Sequence, residues 1–451
     1  MLYNIYDKIE LINNYGYNFK LQNYSQLVIN SDIETLTDTC IITIPNKNVI
    51  LTKNYIIPKS NVNSAEDFYL RITVGSKIEV YLDYYANNDQ LKEIESITDS
   101  IKEDTKKVFI GYVARFDIGE DSIDIVCEDA NYLFKHKRLK NSWDYKAIDI
   151  TKNTISNYNG PVLSDNTIIN RKVMLLDIIQ WIVWNSDSVE RDTSFINLRV
   201  PEIEIGQFII KDSSTGAEIF NTLKEDYKLF IYFTIEWNEE AGRMLTYLNA
   251  GLKYNISNVT LTSKATYHYP YNIKYYPIIE SNLEIDTFDK SKDLSVIGSS
   301  KQYVNDTSII LGTLDGINVV EDISKLKQPT STDKFVSNEL KEAYKLQVKN
   351  NSVPLKSIEN RPTRIELNLP NLSKEELKKY VLSTWNNYPT AGYKGEFTTF
   401  LKPIIRIGDI ITVKIENSLE VITEEHYVDS VNITLDANSG LTQIITLGLK
   451  L

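Results

Sequence analysis

Three histidines, His136, His268 and His426, are the first side chains to weigh for catalysis, because imidazole titrates near neutral pH and is the commonest metal ligand. None stands in His-Glu-x-x-His or His-x-His spacing, so no metal site is expected and each reads as a solvent-facing or strand-edge residue. His136 lies in the basic cluster Lys135-His136-Lys137-Arg138, which reads as a solvated face or as a contact with an acidic neighbouring chain. Glu239-Glu240 could be offered as the paired acids of a glycosidase. Adjacent residues in a turn point apart, however, whereas that chemistry needs two carboxyls facing each other across roughly 5 to 9.5 Å. Cys40 and Cys127 have no Cys-x-x-Cys spacing, and two thiols make neither a disulfide scaffold nor a structural zinc site. The sequence has no Gly-x-Ser-x-Gly and no glycine-rich phosphate loop followed by Lys-Ser or Lys-Thr. The expectation is a protein that is not an enzyme and carries no cofactor.

The aromatic stretch Tyr267-His268-Tyr269-Pro270-Tyr271, with Tyr275 and Tyr276 behind it, suits strand packing, a subunit interface or stacking on sugar rings. The elements that would hold these residues are mostly strands. Tyr outnumbers Phe 29 to 14, and Ile and Val recur in short alternating runs such as Cys40-Ile41-Ile42-Thr43-Ile44 and Ser122-Ile123-Asp124-Ile125-Val126-Cys127. The middle differs. Val173, Leu176, Ile179 and Val183 fall at helical spacing, with Trp181 and Trp184 expected in the core. Ser214-Thr215-Gly216-Ala217-Glu218 caps a second helix running towards Tyr227. A hairpin follows, its turn holding Asn238, Glu239, Glu240 and Gly242, which completes a small α+β unit. Further helices are expected at 333–348, ahead of Pro354 and Pro362, and at 373–386 behind the capping pair Ser373 and Glu376.

At 451 residues the chain has room for about three domains of roughly 150 residues each. A net charge of −12 disfavours a continuous phosphate backbone as main ligand. The opening Met1-Leu2-Tyr3-Asn4-Ile5-Tyr6-Asp7 lacks the basic stretch and apolar run of a secretory signal, so export by that route is not expected. The apolar run 173–184, interrupted by Asp177 and Gln180, is too short and too polar to span a bilayer.

The last block of strands echoes an early one. Val74-Gly75-Ser76-Lys77-Ile78-Glu79-Val80-Tyr81 aligns with Ile407-Gly408-Asp409-Ile410-Ile411-Thr412-Val413-Lys414. The stretch from Phe109 to Asp117 then corresponds to that from Glu425 to Val431, and Ile123-Asp124-Ile125-Val126-Cys127 to Gln443-Ile444-Ile445-Thr446-Leu447. Gly75 and Gly408 can supply the positive φ of a tight entry into a strand.

In these residues the chain resembles the baseplate hub proteins of phage tails, the late-control-protein-D type that also forms the first part of type VI secretion spike proteins. The resemblance is carried by Gly75-Ser76, Phe109-Ile110-Gly111-Tyr112-Val113 and Cys127-Glu128-Asp129-Ala130-Asn131-Tyr132-Leu133 in the first half. In the second half it is carried by Pro403 to Gly408-Asp409, Tyr427-Val428-Asp429-Ser430-Val431 and Gly440 to Gly448. It covers about a third of the chain. The insertion at 91–107 and the Tyr-rich segment at 264–279 depart from the family pattern.

The resemblance implies a mainly β chain with α+β inserts: two related small, tail-tube-like β-barrels and an intervening α+β domain. The first barrel would occupy residues 1–140 and the α+β insert 141–280. Residues 281–390 would link and partly complete the second barrel, whose strands fill 391–451. Gly75, Gly111, Tyr112, Asp129, Gly408, Asp409, Tyr427 and Gly448 would then serve barrel turns and strands. The implied function is structural: a homotrimer forming a pseudo-six-fold ring that joins the tail tube protein to a central spike or tail needle and contacts other baseplate proteins. DNA or cargo would pass its lumen without specific binding, and an acidic balance fits such a conduit. The implied place is the virion, at the tail tip or baseplate, after assembly in the host cytoplasm and with no membrane span. The alternatives are a surface β-rich protein that binds or cleaves glycans, and a tail component that binds a host receptor.

Overall fold

Branched and aromatic residues at every second position build most of this molecule, because such side chains pack best on one face of a pleated sheet. The structure, a computed structural model, describes residues 4–52, 55–58, 71–85, 103–136, 143–144, 173–185, 196–206, 209–210, 214–253, 263–286, 294–301, 307–313, 316–320, 363–368, 377, 379–381, 384, 392–416, 421–436 and 440–451. The expected helix at 333–348, Pro354, Pro362, the pair Ser373 and Glu376, Lys137, Arg138 and most of the 91–107 insertion lie outside the described residues.

The chain is mainly β. Its first part supplies β1 (Asn4–Ile12), β2 (Asn18–Leu21), β3 (Gln26–Asp32), β4 (Thr39–Pro45), β5 (Lys77–Tyr85), β6 (Lys107–Ile118) and β7 (Ser122–Glu128). A short helix, α1 (Asn131–Lys135), follows directly. The middle supplies α2 (Leu175–Asn185), β8 (Ile196–Arg199), α3 (Gly216–Tyr227) and the hairpin β9 (Phe230–Asn238) and β10 (Arg243–Gly251). The last part supplies β11 (Ala265–Tyr269), β12 (Tyr276–Pro277), β13 (Glu280–Asp286), β14 (Gly392–Phe400), β15 (Ile410–Glu416), β16 (Val421–Asp436) and β17 (Gly440–Lys450). Between β13 and β14, Leu294–Lys301, Thr307–Thr313, Gly316–Val320 and Thr363–Asn368 form a separate four-stranded sheet.

The first and last parts merge into one 14-stranded sheet. Its main path runs β12-β11-β15-β16-β3-β4-β7-β6-β5-β1-β2, while β17, β14 and β13 extend from the other edge of β16. Among the described strands this path closes into neither of the two barrels. Both parts nevertheless share one hydrophobic core: Ile29, Ile42, Ile78, Val113 and Ile125 belong to the same buried cluster as Phe397, Ile411, Val413, Val428 and Ile445.

The insert has its own core. Helix α3 starts where the sequence places it. The Thr215 hydroxyl accepts from the Glu218 N–H at 3.2 Å and the Glu218 carboxylate accepts from the Thr215 N–H at 2.8 Å, a reciprocal cap that satisfies two orphan donors. Ile219, Phe220, Leu223 and Tyr227 form its buried stripe. In α2 the expected stripe holds at Ile179 and Val183, both buried, and differs before them. Val173 lies in a two-residue strand before the helix and Leu176 is half-buried, whereas Leu175, Ile178, Ile179 and Ile182 are fully enclosed, together with Trp181. The helix is packed on several sides, so apolar spacing alone did not reveal its most buried face.

Candidate assembly interface: a duplicated strand module

Five strands recur as a unit. In the first half β3, β4, β5, β6 and β7 are laid out β5-β6-β7-β4-β3; in the second half β13 to β17, in the same chain order, are laid out β15-β16-β17-β14-β13. Register ties the two units together residue by residue. Lys77 pairs with Tyr112 as Ile410 pairs with Tyr427, and Val113 faces Cys127 as Val428 faces Leu447. Each unit then has a register shift, between Val113 and Arg115 and between Val428 and Ser430. Tyr112 is therefore equivalent to Tyr427. Counting from Phe109 and Glu425, as the sequence echo does, sets the long strands one position out; the other two aligned segments need no shift.

The glycine turns repeat atom for atom. Gly75 has φ +86° and donates to Val113 O at 2.8 Å, and the Val113 N–H donates back to Ser76 O at 2.8 Å. Gly408 has φ +79° and donates to Val428 O at 2.8 Å, and the Val428 N–H donates to Asp409 O at 2.9 Å. Ser76 Oγ accepts from the Thr73 N–H at 3.1 Å, as Asp409 Oδ2 accepts from the Arg406 N–H at 2.7 Å. Left-handed backbone explains both glycines, and at Gly408 a close cover adds to it, since a Cβ there would lie 2.9 Å from the Tyr232 hydroxyl.

The remaining residues singled out from the sequence fall as follows. Gly111 lies inside β6, where a Cβ would come within 2.2 Å of Glu128 O. Tyr112 stacks on Tyr132 with ring centroids 5.5 Å apart. Asp409 also receives Lys264 Nζ at 2.7 Å. Tyr427 is half-buried in β16, and Gly448 sits within β17, not at a turn. Asp129 is buried; its carboxylate accepts from the Asp38 N–H at 3.0 Å and the Asn131 N–H at 2.9 Å. Burial pushes the Asp129 carboxyl up to about 7 and raises that of neighbouring Asp38 well above the ordinary range.

The two modules join through β16, whose second half, Ser430 to Asp436, pairs antiparallel with β3. Lys253, at the end of the insert hairpin, bridges this junction, with Nζ 2.8 Å from Glu34 Oε1 and 2.9 Å from Asp429 Oδ2. Burial works against its charge, but the two carboxylates more than offset that and raise its pKa. No sequence signal marks Lys253, Glu34 or Asp38, because each matters only through a partner far along the chain.

Two expectations are corrected. His268 and His426 are buried, not solvent-facing: His268 Nδ1 lies 2.6 Å from Pro270 O, and His426 Nε2 lies 3.1 Å from Glu424 Oε2. Alternation along their strands turns both rings inward, and polar partners there make burial tolerable. His136 is exposed beside Tyr132. The aromatic stretch divides. Tyr267 is enclosed against Phe397 and Tyr276, whereas Tyr269 and Tyr271 are exposed.

Glu239 and Glu240 are exposed at the hairpin turn. Between the first module and that hairpin lies a cleft of about 350 Å³ lined by Lys77, Glu79, Asp104, Lys107 and Arg243 among others. Lys107 Nζ is 2.9 Å from Glu79 and 2.7 Å from Asp104, so this charge is spent on structure. Among the described residues no group of three or more His, Cys, Asp or Glu side chains could hold a metal ion. No helix among them is long and apolar enough to cross a membrane.

No protein-family model matches this chain, and no curated protein sequence matches it. Solved structures do. The tail protein from Neisseria meningitidis MC58 superposes with a TM-score of 0.51 at 10% identity, covering 98% of this chain and 96% of that one. The 43 kDa tail protein of prophage MuSo2 from Shewanella oneidensis gives 0.46 at 10% identity, covering 98% and 97%. The prophage tail protein gp18 from Listeria monocytogenes EGD-e gives 0.43 at 8% identity, covering 97% and 94%. At such identity the first of these likenesses is one of fold: the chain shares the fold of the Neisseria tail protein, in keeping with its sequence resemblance to tail proteins.

Proposed function

We propose that this chain is a non-catalytic hub of a phage-type tail. In this reading it is a homotrimer whose six related modules form a pseudo-six-fold ring at the tail tip or baseplate of a virion. The ring meets the tail tube protein on one face and a central spike or tail needle on the other, and other baseplate proteins at its rim. The duplicated module carries this reading. Two equivalent units fused edge to edge in one polypeptide let three copies offer six similar contacts to one partner and three to another, which is what a symmetry adaptor requires.

The shared fold of the Neisseria tail protein supports a place in a tail. A net charge of −12 supports a lumen that DNA crosses without adhering. Tyr271 and Ile273, 70% and 86% exposed, offer apolar surface for a partner. Light scattering combined with negative-stain imaging tests the proposal. A three-copy ring with six lobes is the expected result, and an even-numbered assembly or sugar released from peptidoglycan would overturn it.

A further inference from the structure

The junction between modules is used once within the chain, yet each module carries both of its halves. The β3 edge of the first module is taken by β16 of the second. Its counterpart in the second module, β13, pairs only with β14 among the described strands. Likewise β16 uses its second half to hold β3, while the equivalent second half of β6, from Arg115 to Ile118, pairs among the described strands with β7 alone, because its pairing with β5 ends where Tyr112 meets Lys77. Both open edges are exposed: Ile118 is 62% and Ile285 65% accessible. An open strand edge is a template for a further strand.

We infer that the second half of β6 in one copy of this chain pairs antiparallel with β13 of a second copy, repeating between copies the β16–β3 junction found within one. The inference rests on the ring reading above and supplies its contact. Register follows from the equivalences. Ser430 pairs with Asp32, Val431 with Ser31 and Ile433 with Ile29; transferred, these set Arg115 against Asp286, Phe116 against Ile285 and Ile118 against Leu283. Two apolar pairs meet on the same face. Phe116 and Leu283 already pack against the shared core, so the sheet's inner face continues across the joint. Asp117 falls opposite Glu284, and Arg115 Nε, 3.1 Å from Asp117, offsets that repulsion. The contact is head to tail, so it closes only as a ring.

The test mixes two single-cysteine full-length chains, Ile118→Cys and Leu283→Cys, under mild oxidation; native Cys40 and Cys127 are fully buried and serve as the silent background. A disulfide-linked dimer is expected in the mixture and in neither chain alone, and not when Glu284→Cys, one residue away on the opposite face, replaces Leu283→Cys. Ile285→Lys, at an exposed position, should keep the wild-type melting temperature and lose the cross-link. A three-copy ring without the matched cross-link overturns this contact and leaves the hub reading standing. Matched cross-links in open chains or dimers support the contact and overturn the three-copy ring. A monomer with no cross-link at the highest attainable concentration overturns the contact.

Discussion

Asp129 is held where a charged carboxylate is costly, and the protein's pH response should report it. Its folded-state pKa, about 7, lies above that of an unfolded carboxyl, near 4, so the folded chain keeps a proton that the unfolded chain releases between those values. Stability from this group is present below pH 4 and declines as pH rises towards 7. Glu79 acts in the opposite sense: burial would raise its pKa, but Lys107 and Lys77 hold it down to about 2, so its contribution is lost in strong acid. The melting temperature should therefore fall from pH 5 to pH 8, and Asp129→Asn should flatten that fall; an unchanged slope in the variant would contradict the assignment. Gly111 makes a steric claim of its own. Gly111→Ala must push a Cβ into the Glu128 carbonyl, which should cost roughly 1–3 kcal/mol in urea unfolding. The motif flagged Gly111, but only the register of β6 against β7 explains it.

At the scale of elements, the strands, the capped α3 and the hairpin are readable from local chemistry: alternation, a Thr-x-x-Glu box and a polar turn. What local chemistry missed was pairing. The correspondence of β3 with β13, seven residues each and both ending in Asp, leaves almost no residue match, because the first lies in a joined edge and the second in an exposed one. The junction also needs its clamp. Lys253→Met removes the cation shared by exposed Glu34 and half-buried Asp429 and should destabilise the fold by about 1 kcal/mol. Adding Asp429→Asn should cost less than the sum of the single changes; strict additivity in urea titrations would show that the pair is uncoupled.

For the whole molecule, amino-acid order alone conveyed a mainly β chain, an insert of mixed structure and two related glycine turns. These are properties of short segments, whose alternation and turn residues act locally. The merging of two modules into one sheet, the inward turn of His268 and His426 and the edges that β6 and β13 leave open among the described strands were decided by tertiary structure. Strand partners and burial depend on which distant segments meet, and hydrogen bonds between backbones leave little trace in side-chain identity.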